Sequence, residues 1–140
     1  MLKTILTDAR MKSKEPFSLR KRIASFRFAL NGIKILLKEE HNARIHLVIS
    51  GLVLLGGFFF QLNLTEWLMV TITIGFVFAM ELINSAIENL ADVISPDKDD
   101  RIKRIKDLAA AAVLFSAFIS VVVGLIIFLP KILNLVSHGS

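Results

Sequence analysis

Three stretches of this chain are long and apolar enough to cross a lipid bilayer, and they constrain its fold more than any other feature. Residues 45–65 and 108–129 contain no formally charged side chain, and a third apolar run extends from Trp67 to Glu81. About 20 apolar residues cross the hydrocarbon core as an α-helix, and a helix satisfies its own backbone in lipid. We therefore predict an all-α integral membrane protein with three transmembrane helices, at residues 45–62, 66–94 and 107–129.

The composition supports a membrane protein and excludes other classes. Hydrophobic residues make up 54% of the 140 residues, and a mean hydropathy of +0.66 is too high for an ordinary soluble domain of this size. The absence of cysteine excludes a disulfide framework and thiolate chemistry. Residues 1–16 are polar and basic, without the apolar core of a signal peptide, so we expect the apolar segments to be uncleaved.

The segments outside the three spans have their own patterns. Residues 1–16 are expected to form a flexible N-terminal extension. Residues 17–40 have an apolar helical stripe beside a basic one, which predicts an amphipathic helix lying on an anionic membrane surface. A soluble helix packed on a core is the alternative. The apolar stripe is Leu19, Ile23, Phe26, Leu30, Ile33 and Leu37, and the basic stripe is Arg20, Arg27, Lys34 and Lys38.

Local signals refine the helix ends. Pro130 is predicted to end the last helix, which makes residues 17–130 the membrane domain and 131–140 a tail. Thr65 is expected to cap the second span, with Trp67 at the interface. Three glycines in the first span predict close helix packing: Gly51, Gly56 and Gly57.

The distribution of Lys and Arg predicts the orientation in the membrane. Eleven of the 17 basic residues precede Ile45, and five more lie in the loop at residues 92–107. The turn at residues 61–66 has none, and Lys131 stands alone near the C-terminus. Because positive charge marks cytoplasmic loops, we expect a multi-pass protein of the bacterial inner membrane with a cytoplasmic N-terminus. The uneven net charge of +5 favours a membrane surface over nucleic acid as partner.

One face of the second span is polar. Ionisable side chains inside a membrane cost free energy and usually have a function there. Glu81, Asn84, Glu88 and Asp92 follow the spacing of a single helix face. The helix is longer than the hydrocarbon core is thick, so these residues are expected at different depths, with Glu81 innermost. The predicted topology brings this face to the same membrane rim as Glu40 and Lys106.

Such a cluster suits phosphoryl transfer from a nucleotide to a lipid hydroxyl. Mg²⁺ takes one or two carboxylates together with phosphate oxygens, and Glu40 and Glu88 are candidates. Lys106 or Arg101 would neutralise phosphates. A buried Glu81 is a better proton acceptor, as a general base for an alcohol requires, and Asn84 would orient it by hydrogen bonding.

Structural explanations of the same residues remain open. Polar side chains also join membrane helices, and Asn84 and Ser85 fit that role equally well. The basic run from Arg101 to Lys106 also serves as a topology signal. A zinc site is disfavoured because the spacing of His41 and His46 does not place both on one helix face, and the sequence contains no HExxH, P-loop or protein-kinase glycine loop.

Two motifs resemble the prokaryotic diacylglycerol kinase family, which also contains the undecaprenol kinases. They are Glu81-x-x-Asn84-Ser85-Ala86-Ile87-Glu88-x-x-x-Asp92 and Lys106-Asp107-x-Ala109-Ala110-Ala111-Ala112-Val113, preceded by Glu40-x-x-x-Arg44. The resemblance covers residues 17–130. It implies a homotrimer of three-helix protomers, each with a surface helix, and active sites shared between neighbouring protomers.

The resemblance also implies roles for individual residues. Glu81 with Asn84 would be catalytic, and Glu40 and Glu88 would bind the Mg²⁺ that accompanies ATP. The implied nucleotide-contacting residues are Lys106, Asp107 and either Lys21 or the adjacent Arg22, together with Glu40 and Glu88. The implied lipid-binding residues are Arg44, Glu81 and Asp92.

The resemblance implies a lipid kinase that converts diacylglycerol to phosphatidic acid. Undecaprenol is the alternative acceptor, because the form Glu40-His41-Asn42-x-x-Ile45-His46 is more similar to the undecaprenol kinase branch. A hypothesis of another class is a non-catalytic membrane bundle or channel lined by the carboxylates. That hypothesis predicts acidic residues throughout the membrane depth, whereas here they are expected at one rim.

Overall fold

A computed structural model of the chain describes residues 18–95 and 99–138, without the side chains of Arg20, Lys21 and His138. The predicted extension at residues 1–16 lies outside the described residues. The described part is helical and contains no strand. Its helices are α1 (Leu19–Glu39), α2 (His41–Phe59), α3 (Leu64–Ile94) and α4 (Asp100–His138). This confirms the predicted all-α class.

The chain divides into two units, residues 1–31 and 32–140. In the first unit the described residues form the beginning of α1, and their large apolar side chains are exposed, Phe26 and Phe28 among them. The helical part of the predicted 17–40 segment is therefore present. Its contact with a membrane surface stays a prediction.

In the second unit, three helices are long and apolar enough to cross a membrane. They are His41–Phe59, Leu64–Ile94 and Asp100–Ser137, with 19, 31 and 38 residues. At a rise of about 1.5 Å per residue, the shortest is close to the roughly 30 Å of a hydrocarbon core and the other two exceed it. Each helix begins before its predicted span, because polar and charged residues at a membrane edge extend a helix as well as apolar ones do.

A tight turn joins α2 to α3 and depends on one close approach. Gln61 has a φ of 50°, and the N–H of Leu62 donates to the carbonyl of Gly57 at 3.0 Å. A Cβ on Gly57 would lie 2.7 Å from the Trp67 ring, so no other residue fits there without displacing the ring. Of the three glycines predicted to pack closely, Gly51 is different, because a Cβ there would meet no atom within 4 Å.

The N-terminus of α3 is capped by Asn63, so the predicted cap at Thr65 is wrong. The Asn63 side chain accepts from the N–H of Glu66 at 3.0 Å, and the Glu66 carboxylate accepts from the N–H of Asn63 at 2.8 Å. This capping box satisfies two backbone donors that the first turn of a helix leaves open. Thr65 lies inside the first turn, where its side chain is too late to cap.

Helix α4 continues through Pro130, so the predicted end of the helix there is also wrong. Proline removes one backbone hydrogen bond, and membrane helices tolerate that loss where other contacts hold the segment. Beyond the proline, Lys131 Nζ lies 3.1 Å from Glu66 Oε1 of α3. That ion pair joins the last two turns of α4 to the start of α3.

The core of the second unit lies between the spans and is small. Leu62, Val70 and Ile127 are its buried members, and Trp67 and Phe128 pack against it. Most other large apolar side chains of the three spans are exposed in the single chain. Lipid or other protein chains must cover these surfaces, as expected of a membrane protein.

Candidate functional site

The polar residues predicted to act together lie at one end of the helices of the second unit, which we call the polar end. It is defined by Glu40, Glu81, Glu88, Asp92 and Lys106. Glu40 is the residue between α1 and α2, and its side chain makes no capping hydrogen bond. Asp92 is in the last turn of α3, and Lys106 is in the second turn of α4.

Glu81 is the most buried charged residue in the described part of the chain, with 2% of its surface exposed. His46 of α2 faces it, with Nε2 at 3.3 Å from Oε1. That contact does not have the alignment of a hydrogen bond, and Oε1 accepts no hydrogen bond from any described residue. An unpaired carboxylate oxygen at such depth is costly, which is typical of a site rather than of a structural contact.

Asn84, one turn after Glu81, contacts a different residue from the one predicted. Its Nδ2 donates to Glu88 Oε1 at 3.0 Å, while its buried Oδ1 accepts from no described residue. Asn84 therefore orients Glu88 and not Glu81. Glu81 and Glu88 lie three and four residues from Asn84, so both are within its reach on the helix, and the rotamer of Asn84 directs Nδ2 to Glu88.

The rim of the polar end contains an ion pair between α3 and α4. Lys106 Nζ lies 2.8 Å from Asp92 Oδ1, and Glu88 also acts on Lys106 electrostatically. Asp92 is 67% exposed and Lys106 is 35% exposed, so a water-borne molecule can reach both. Burial in the single chain thus decreases from Glu81 to Asp92, and the predicted gradient of membrane depth along this face stays a prediction.

The remaining predicted residues are brought together in part. Glu40 and Glu88 both act electrostatically on the Glu81 carboxylate, and both repel it. Arg44 donates from Nε to the carbonyl oxygen of its neighbour Glu40 at 3.4 Å, and Asp107 is exposed. Arg22 belongs to the first unit, and the side chain of Lys21 lies outside the described residues.

Metal binding by this cluster was assessed from its donor atoms. In the described ranges 18–95 and 99–138, no group of three or more His, Cys, Asp or Glu side chains is arranged to hold a metal ion. Glu40 and Glu88 provide two carboxylates in one region. Two carboxylates are the protein ligands that Mg²⁺ commonly takes when phosphates and waters complete its shell, so the residues present fit that ion.

An apolar cavity of about 190 Å³ lies between α2, α3 and α4 on the inner side of Glu81. His46 lines it, and its other walls are mainly apolar, with Val53, Val77 and Phe128 among them. An apolar cavity of about 150 Å³ holds a benzene-sized molecule. This one therefore has room for a short apolar segment beside the Glu81–His46 pair.

Sequence reasoning missed His46. His46 was considered as a zinc ligand, which its helical spacing disfavours, and as part of the form that resembles the undecaprenol kinase branch, but no role in the site was assigned to it. The available signal was position: after His46, helix α2 contains no titratable side chain, so an imidazole there enters an apolar span. Such residues are rare and usually functional.

Together these features define a class: an all-α membrane protein with a carboxylate site that faces water on one side and an apolar cavity on the other. The sequence model of the prokaryotic diacylglycerol kinase family matches residues 27–128. The chain belongs to the prokaryotic diacylglycerol kinase family and is a membrane lipid kinase.

Two relatives support this membership. The undecaprenol kinase of Bacillus subtilis is 40% identical over 108 residues, which cover 77% of this chain and 88% of the relative. The diacylglycerol kinase of a Synechocystis strain is 31% identical over 114 residues, which cover 81% of this chain and 65% of the relative. The resemblance inferred from the two sequence motifs is thereby confirmed.

Proposed function

We propose that this enzyme transfers the terminal phosphoryl group of ATP to the hydroxyl of undecaprenol. The observation that carries the proposal is the position of Glu81, which is buried, accepts no hydrogen bond at Oε1 from the described residues, and faces His46, a residue that lines an apolar cavity. A base at that depth meets only a substrate that is itself in the membrane. Glu81 accepts the hydroxyl proton as the lipid oxygen attacks phosphorus, and ADP leaves.

The acceptor is proposed from the comparisons. Sequence reasoning placed diacylglycerol first and undecaprenol second. The undecaprenol kinase relative has the higher identity, 40% against 31%, and the match covers more of that relative's own length, 88% against 65%, which favours reversing that order. Diacylglycerol remains the second candidate because a relative with that name matches 81% of the chain. Both are lipid alcohols, and an apolar cavity beside Glu81 suits the segment next to either hydroxyl.

The nucleotide lies on the water side of the polar end in this proposal. Lys106 and Asp107 contact it. Glu40 and Glu88 hold Mg²⁺, which neutralises charge on the transferring phosphate when bound. The hydrogen bond from Asn84 keeps one oxygen of Glu88 in a fixed orientation. Arg44 and Asp92 are proposed to contact the lipid headgroup region.

The placement in the cell follows from charge and exposure. We propose a bacterial inner-membrane protein with a cytoplasmic N-terminus, because the basic residues lie before α2 and between α3 and α4. We further propose a homotrimer with sites shared between protomers. The exposed apolar faces of the spans and the single-chain exposure of Asp92 and Lys106 leave room for a neighbour.

A parallel assay tests the function. The purified full-length protein in detergent micelles is given labelled ATP, Mg²⁺ and either undecaprenol or diacylglycerol, and the labelled lipid is separated and counted. We expect phosphate on undecaprenol, less on diacylglycerol, and none in either lane for Glu81→Ala. Full activity of Glu81→Ala would refute the assigned base. A preference for diacylglycerol would make diacylglycerol the acceptor in place of undecaprenol. If neither lipid is phosphorylated, a non-catalytic bundle is favoured.

A further inference from the structure

His46 occupies a position that the assigned roles do not explain. It is the last titratable residue on α2, and the 13 residues that follow it in the helix are apolar, glycine or serine. An imidazole at this depth costs free energy unless it contacts a polar partner. The described partner is Glu81, at 3.3 Å between Nε2 and Oε1. His46 and Glu81, which lie on different helices, thus each provide the other with a polar contact.

Glu81 has few alternatives to His46. Its other electrostatic neighbours are Glu40 and Glu88, which are carboxylates and repel it. Asn84 is committed to Glu88 through its Nδ2. No described donor bonds Oε1. The imidazole is therefore the one group of opposite or donor character that acts on this carboxylate within the described residues.

His46 also lines the apolar cavity. Its ring is 21% exposed, whereas Glu81 is 2% exposed. The ring therefore lies between the carboxylate and the cavity, where an acceptor hydroxyl would arrive with its apolar segment behind it. A donor at Oε1 rotates the carboxylate so that its second oxygen is left for the hydroxyl.

We propose that His46 is a positioning residue that holds the Glu81 carboxylate against the acceptor cavity by donating from Nε2 to Oε1. The proposal rests on the proposed role of Glu81 as the base. During turnover the distance of 3.3 Å shortens to an aligned hydrogen bond, since contacts at catalytic groups tighten when substrate binds. His46 itself forms and breaks no covalent bond in the reaction.

The test uses three substitutions in the full-length protein, assayed with undecaprenol, ATP and Mg²⁺. His46→Leu removes the donor and keeps an apolar side chain of moderate size. His46→Gln keeps an N–H donor whose nitrogen reaches about as far as Nε2. His41→Leu is the matched control, because His41 is an exposed histidine in the first turn of the same helix.

We expect His46→Leu to lower kcat about 10- to 100-fold, the effect of one lost hydrogen bond to a charged group, with the KM for ATP unchanged. His46→Gln should return kcat to within about threefold of the parent, on the same principle. His41→Leu should match the parent in both constants. Size-exclusion chromatography and circular dichroism in detergent establish that each variant is folded.

Three results would overturn the inference. One is parental kcat in folded His46→Leu. Another is a Gln variant as slow as the Leu variant, because the role would then need the imidazole itself. The third is a loss of kcat in His41→Leu equal to that in His46→Leu. Glu81→Gln is assayed beside them: if it retains activity the proposed function fails, whereas an inactive Glu81→Gln with an active His46→Leu removes the positioning role alone.

Discussion

The two ends of helix α3 both contain carboxylates, and they differ in how those carboxylates are satisfied. At the first end, Glu66 accepts from the N–H of Asn63 and pairs with Lys131. At the polar end, Glu81 and Asn84 each leave a buried acceptor atom without a hydrogen bond from the described residues. We call the first the capped end, defined by Asn63, Glu66 and Lys131.

The difference separates structural from functional polarity on one helix. The capped end satisfies its polar groups locally, through a capping box and an ion pair, and leaves nothing for a ligand. The polar end accepts an unfavourable arrangement in which two further carboxylates, Glu40 and Glu88, repel Glu81. Native structures rarely leave buried acceptors unpaired, so the unpaired end is the one where a substrate or ion completes the contacts.

The largest contrast is expected between Glu81→Gln and Glu66→Gln. General-base catalysis contributes about 10²- to 10⁴-fold, so Glu81→Gln should reduce kcat by that range. Its thermal stability should be equal to or higher than that of the parent, because a buried charge is removed. Glu66→Gln should keep the parental kcat. Comparable losses of activity at both positions would remove the distinction between the two ends.

A smaller effect on metal use is expected from Asn84→Ala. Partners that orient a metal ligand typically contribute about 10- to 100-fold in metal affinity, and Asn84 is such a partner for Glu88. The Mg²⁺ concentration at half-maximal activity should rise by that amount. The titration is done at saturating ATP and lipid, with Asn89→Ala as control, because Asn89 donates only to the backbone of Ser85. An unchanged Mg²⁺ requirement would contradict the role of Glu88.

The role of the cavity in binding the lipid acceptor is tested by substituting two glycines that both have open space around them. A Cβ at Gly124 or at Gly75 would meet no atom within 4 Å, but only Gly124 lines the described cavity. Gly124→Leu should raise the KM for the lipid acceptor by about tenfold, the effect of a few methylene groups in an apolar pocket. Gly75→Leu should leave it unchanged. Equal values for the two variants would exclude the cavity as the acceptor site.

The smallest expected effect belongs to the capped end. Asn63→Ala removes the N-cap of α3 and should lower the free energy of unfolding by about 1 kcal/mol, with kcat of the folded enzyme unchanged. Thermal melting in detergent, monitored by circular dichroism, measures the change in stability. The lipid assay measures kcat. A tenfold fall in kcat would show that the capped end takes part in the reaction.

Patterns within a single helix were predicted correctly from the sequence. The three apolar runs predicted the three spans, and the spacing of Glu81, Asn84, Glu88 and Asp92 predicted one polar face of α3. These follow from the helical repeat and from the length of a membrane span. They require no knowledge of how the helices pack.

Contacts were not predicted correctly where a group has two possible hydrogen-bond partners within reach. Asn84 was assigned to Glu81 but donates to Glu88, since both residues lie one turn away and only the side-chain rotamer decides between them. Thr65 was predicted as the cap of α3, whereas the N-cap is Asn63, two residues earlier. The continuation of α4 through Pro130 was not predicted either, and the residue after the proline, Lys131, pairs with Glu66 at the start of α3.

The sequence by itself determined that this protein is an all-α membrane lipid kinase with its carboxylates on one face of α3, because apolar length and helical period are local properties. Only the tertiary structure decided that His46 faces Glu81 beside an apolar cavity and that Lys106 pairs with Asp92. Those contacts join different helices. Their rotation and crossing are set by side-chain packing along the whole interface, which no single segment encodes.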